Sequence, residues 1–205
     1  MLKKGIQALA LLAVLSLLAG CRVVWVDESL AETPPDEQVE VKGNEVIELN
    51  AKIQFDPNRL IVRGTANLPP GSVISADLKE YPAGVEQEDI LNGMIEPAEE
   101  IAHEKQVEIN EDGTFLIVLD RPDAEKRYQA ALRFAPEIQT EAIQEKFGES
   151  GEMIGDSEGI YEYESNGSLV TGIAKYAPVF SLSDGGWYRG KFDMYPKIED
   201  ARPTR

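Results

Sequence analysis

The chain has one cysteine, Cys21, and one histidine, His103, among 205 residues. A single thiol excludes an intramolecular disulfide and a thiolate cage for zinc, and a single imidazole excludes chemistry that needs two. Basic residues are also scarce, 20 Lys and Arg against 37 Asp and Glu, for a formal net charge of −17. That field repels phosphate backbones and no basic cluster offsets it, so no nucleic-acid partner is expected. What the chain does have is 42% hydrophobic residues, enough for one modest core and a single domain.

One long apolar run exists, and it lies at the start. Lys3 and Lys4 precede Ile6 to Leu18, the length of a signal-peptide core and too short to span a bilayer, which takes about 20 apolar residues. The run ends at Leu18-Ala19-Gly20-Cys21, which resembles the lipobox of bacterial lipoproteins. That resemblance covers the first 21 residues. It implies cleavage before Cys21, a diacylglyceryl group on the Cys21 sulfur and acylation of the new amino terminus. The protein would then be held on the extracytoplasmic side of a bacterial membrane by lipid on Cys21. Two or three acyl chains hold a protein far more firmly than one. Arg22 is not Asp, which by the same resemblance implies outer-membrane sorting in an organism with two membranes. Removing residues 1–20 takes away Lys3 and Lys4 and no acid, leaving the mature chain more acidic still.

Residues 21–45 read as a lipid-anchored acidic tether: Val23 to Val26, with Trp25 at the headgroup level, and then Glu32-Thr33-Pro34-Pro35-Asp36-Glu37. From Val46 the period becomes two, with Ile47, Leu49, Ala51, Ile53 and Phe55 alternating with polar residues. The Asp56-Pro57-Asn58 turn leads to a second strand over Leu60–Ala66, and Val73 to Tyr81 reads as a third. Residues 82–105 show no strand pattern and read as an acidic edge loop with a helical turn. Strands are expected at Gln106–Asn110, Thr114–Asp120 and Tyr128–Phe134, the run from Phe115 to Leu119 being apolar enough for burial on both faces. Pro136 to Phe147 reads as a short helix ended by Gly148. Ser165-Asn166-Gly167-Ser168 between two strand-like runs signals a hairpin.

Short strands, frequent turns and one short helix predict a mainly β fold, an antiparallel β-sandwich over 46–195 followed by a polar tail over 196–205. The segment Gly64 to Ser72, with Asp112-Gly113-Thr114-Phe115 and Tyr128 to Phe134, resembles immunoglobulin-like modules of bacterial surface lipoproteins.

Chemistry is sparse. His103, in Glu99-Glu100-Ile101-Ala102-His103-Glu104, reads as a solvated loop residue, and no Gly-x-Ser-x-Gly turn is present. Acid pairs abound by number alone and single out no glycosidase geometry. Asn110-Glu111-Asp112-Gly113 reads as a hairpin turn, and the acidic loops at 148–152 and 155–158 lack calcium-loop spacing. No catalytic residue, metal ligand or cofactor site is assigned. Eight of the fifteen aromatic residues fall between Tyr161 and Tyr195, and Trp187 and Tyr188 beside Asp184-Gly185-Gly186 form a candidate sugar- or peptide-binding surface. Two functions are consistent with these features: a non-enzymatic envelope module that binds another envelope protein or wall polymer, and a carboxylate-dependent hydrolase acting on wall polysaccharide or peptide.

Overall fold

The computed structural model describes residues 43–188 and 190–201, with the side chains of 186–188 left out of the description. Among the described residues, nine strands form two antiparallel sheets. Sheet 1 has the order β5 (Thr114–Asp120), β2 (Arg59–Ala66), β1 (Leu49–Phe55), β9 (Lys191–Asp193). Sheet 2 has the order β4 (Ile101–Glu108), β3 (Val73–Glu80), β6 (Tyr128–Phe134), β8 (Ser168–Val179), β7 (Ile160–Ser165). The fold is thus the expected antiparallel β-sandwich. β1, β2 and β5 share one sheet, and β4, β3, β6 and β8 the other. β7 and β9 lie at the edges.

Alternation explains the core. In β1 and β2 the inward rows carry Leu49, Ile53 and Phe55 with Leu60 and Val62, which meet Leu78, Leu132, Phe134, Ile173 and Val179 of sheet 2 in one buried cluster. Side chains that alternate in this way leave the outer face of sheet 1 to Asn50, Lys52, Gln54, Arg63 and Thr65, with Ile61, Leu116 and Val118 among them. At the Asn166-Gly167 turn both residues have positive φ, 51° and 78°, as the twist of a two-residue hairpin requires.

Four expectations change. The segment 136–147 is not one helix: a 3-10 turn at Pro136–Ile138 and α2 (Glu141–Phe147) are separated by extended Gln139. The Gln139 amide is buried. It accepts from Val73 N (2.8 Å) and donates to Val73 O (3.0 Å) and Ala135 O (2.9 Å), serving a strand end that a continuous helix would leave unpaired. The acidic 82–105 region holds α1 (Gln87–Leu91) and the first half of β4. This edge strand is exposed on both faces, so it carries no alternation to read. His103 therefore lies in a strand, opposite Leu78, and not in a loop. The β5 run from Phe115 to Leu119 buries one face only, with Leu116 52% exposed. The fold also reaches past 46–195 at both ends. Glu45 bridges Ile154, and Ile198 and Ala201 are buried in what reads as a polar tail.

Candidate functional site

A groove of about 600 Å³ opens on the outer face of sheet 1, floored by β1, β2 and β9. The register determines what it displays. The turn of Asp56 to Arg59 is closed by Asp56 Oδ1, which accepts from the Asn58 and Arg59 amides at 2.8 and 3.0 Å, and it sets Phe55 opposite Leu60. Counting back along both strands puts Lys52 opposite Arg63 and Gln54 opposite Ile61. On the other side of β1, Asp193 stands opposite Lys52 and Lys191 opposite Gln54. The Lys52 ammonium lies 3.0 Å from Asp193 Oδ1.

β9 is held from within. Phe192 is fully buried, stacked on Phe55 at 6.0 Å between ring centroids, and Met194 N donates to Ala51 O at 2.9 Å. One residue further the chain crosses to sheet 2, where Tyr195 and Tyr176 exchange backbone hydrogen bonds of 3.0 and 2.6 Å. The segment 190–195 therefore ties the two sheets together along one edge of the sandwich and forms one wall of the groove.

The far margin holds a cation of unusual placement. Lys175 lies on β8 opposite Leu132, in the row that includes Ile173 and Ala177 and otherwise faces the core. Its side chain is 3% exposed, and its ammonium reaches Glu158 Oε2 at 2.8 Å, on a side chain that is 68% exposed. The loop carrying Glu158 is fixed by the first residues of the fold. Gly155 N donates to Glu45 O (2.8 Å), and Ser157 Oγ accepts from Ile47 N (2.8 Å). The groove thus presents Lys52, Arg63, Lys175 and Lys191 against Glu158 and Asp193, and both carboxylates are held by lysines.

The outer face of sheet 2 is different. Asp77, 2% exposed, pairs with Arg133, and the rings of Tyr161 and Tyr163 stack at 4.9 Å over Gly172. A Cβ on Gly172 would stand 2.9 Å from Tyr161 Cε1 and 2.8 Å from Phe134 O, so only glycine leaves room for these rings. Tyr163 donates to Glu137 Oε2 at 2.5 Å. Burial pushes the Tyr161 hydroxyl up to about 12 and raises Tyr163 further, the hydrogen bond to Glu137 adding to it. Burial also raises Tyr176, which the Arg133 guanidinium partly offsets.

Trp187 and Tyr188 lie in the 3-10 segment Leu182–Tyr188, and their side chains are outside the described residues. What anchors that segment is visible. Arg127 Nε donates to both Asp184 oxygens (3.1 and 2.9 Å), while Asp184 Oδ2 accepts from Ser181 N (2.7 Å) and Ser181 Oγ (2.9 Å). Burial alone would raise the Asp184 carboxyl, but the hydrogen bonds from Arg127 and Ser181 outweigh it and hold the group below the usual carboxylate range. Nearby, buried Arg121 donates to the carbonyls of Ala124 and Lys126 at 3.1 Å each and to Phe180 O at 2.5 Å, which fixes the strand ends around this segment.

Cys21, the lipobox, the tether from 21 to 42 and Trp25 lie outside the described residues. Asp112 closes its hairpin turn as expected, accepting from Thr114 Oγ1 (2.7 Å) and Thr114 N (3.0 Å). In the 148–152 loop the Glu152 carboxylate accepts from Ser150 N and Oγ. No three acidic, His or Cys side chains among the described residues gather to hold a metal ion. The cations of the groove are absent from the residues that composition and motif singled out. The Asp56-Pro57-Asn58 turn held the signal for two of them, because it sets the hairpin register that places Lys52 against Arg63. Lys175 gave no signal, since a lysine in a strand reads as outward-facing. Compared with protein-family models, with curated proteins and with solved structures, the chain matches none.

Proposed function

We propose that the protein is a lipid-anchored cell-envelope binding module, held by lipid on Cys21 at the extracytoplasmic side of a bacterial membrane. Its ligand surface is the outer face of sheet 1, and its partner is another envelope protein or wall polymer. Support for the anchor comes from Leu18-Ala19-Gly20-Cys21 after a short basic start and an apolar core. Support for binding comes from one observation: a groove of about 600 Å³ on a sheet face, a volume in the range of ligand sites, built from three strands. Asp193 and Glu158 are each held by a lysine in that groove, an arrangement suited to holding a ligand and unlike the facing carboxylates of glycoside hydrolysis.

Intact-mass measurement of the full chain extracted from bacterial membranes, beside Cys21→Ser, tests the anchor. The expected product begins at Cys21 with added acyl mass, and the variant loses both that mass and membrane retention. An unmodified chain cut elsewhere would overturn the lipoprotein reading. Release of products from wall polysaccharide or peptides by the purified protein would overturn the non-enzymatic reading.

A further inference from the structure

In the whole chain acids outnumber bases by nearly two to one, yet the side chains lining the sheet 1 groove reverse that ratio, four cations to two carboxylates. Two of these cations are also badly placed for folding alone. Lys52 and Arg63 stand directly opposite each other on the same exposed face, and like charges in that relation destabilise a sheet. Lys52 has Asp193 on its other side. Arg63 has Leu116 on its other side, a half-exposed apolar residue, and its guanidinium makes no ion pair or side-chain hydrogen bond among the described residues. An anion lying between Arg63 and Lys52 would supply the missing counter-charge, and a guanidinium offers a planar fork of donors that matches two oxygens of one acid group.

Resting on the reading of this groove as a ligand site, and going beyond the envelope partner proposed for that face, we infer that it also binds a small oxyanion ligand, one phosphate or carboxylate group seated between Arg63 and Lys52. The body of the ligand would lie toward Ile61 and Lys191, the next row of the same face. Charge range favours a small ligand over a long polyanion. At physiological ionic strength exposed charges are screened beyond about 8 Å, so a compact anion feels the cations beside it and little else. A long polyanion runs out of the groove onto a surface dominated by the remaining acids and is repelled there.

The test is an amide-shift titration of the mature chain with inorganic phosphate, citrate, linear polyphosphate and glucose at constant ionic strength. Saturable shifts with phosphate or citrate, confined to β1, β2 and β9, are expected. Arg63→Gln and Lys52→Gln should each weaken binding about tenfold or more. Arg59→Gln, in the same hairpin but outside the groove, should leave it unchanged. Equal weakening by Arg59→Gln, or affinity that climbs with polyphosphate length, would overturn the inference. Glucose binding in the groove without anion binding would remove the oxyanion assignment and leave the groove as a ligand site. Saturable shifts from none of the four probes would remove both.

Discussion

On the outer face of sheet 2, Arg133 meets the buried carboxylate of Asp77 at the side of a groove that it lines together with residues 95–99 and 196–199, whereas on the outer face of sheet 1 Arg63 lies exposed beside Lys52. Both faces carry an arginine on a central strand, and both belong to sheets that share one core. The difference lies in burial. Where a carboxylate is buried, it must find a partner, because an uncompensated buried charge costs several kcal/mol. Where the sheet is left open, water tolerates a cation without a partner, and Lys52 and Arg63 can stand together. The buried pair therefore serves stability, a demand that the exposed cations of sheet 1 do not carry.

The strongest way to break this comparison is to treat the two arginines alike. Arg133→Met leaves Asp77 buried without its partner and should cost about 3–5 kcal/mol in urea unfolding, while Arg133→Met with Asp77→Leu should recover most of that loss. A loss below about 1 kcal/mol would mean that the pair does not hold that face.

The tyrosines sharpen the contrast at high pH. Tyr161 has a folded pKa raised by burial to about 12 against an ordinary value of 10.0, so its contribution is whole below pH 10 and is lost as pH climbs through 12. Absorbance at 295 nm should show a late tyrosinate component that Tyr161→Phe diminishes, with alkaline unfolding in the same window.

Asp184 tests the same pairing rule at low pH. Its folded pKa is depressed below an unfolded value of about 3.9, so its contribution is present above that pH and is lost as pH falls through the folded value. Asp184→Asn should therefore weaken the protein at neutral pH and lose less on acidification than the parent does. An unchanged acid limb in the variant would contradict the role given to the Arg127–Asp184 pair.

The smallest effect belongs to the open face. Arg63→Gln should change stability by no more than about 0.5 kcal/mol, with a slight gain at low salt, because it removes a like-charge neighbour of Lys52. A large loss would place Arg63 with Arg133 as a structural residue and dissolve the distinction between the two faces.

Much of the fold could be read from the residues themselves. Alternation marked β1 and β6, the Asp56-Pro57-Asn58 turn marked β2, and Asn166-Gly167 marked the β7–β8 hairpin, because one buried face of a strand or the residues of a tight turn leave a mark in sequence. β4 left none, since an edge strand exposed on both faces buries nothing. Gln139 broke the expected helix because its amide serves Val73, 66 residues away, a partner that local pattern cannot name. The site was less legible for a related reason. A groove is made of rows that cross several strands, and only the Lys52–Arg63 pair, joined through one short turn, was within reach of local reasoning. Lys175 and Asp193 come to it from β8 and β9, which only the sheet order brings near.

That the open face of sheet 1 binds an oxyanion between Arg63 and Lys52 is tested most directly by thermal unfolding of the mature parent chain and Arg63→Gln, in chloride and in phosphate at the same ionic strength. Phosphate should raise the midpoint of the parent and leave Arg63→Gln unmoved, because a ligand that binds only the folded state stabilises it in proportion to its occupancy. Equal stabilisation of both proteins, or of neither, would contradict it.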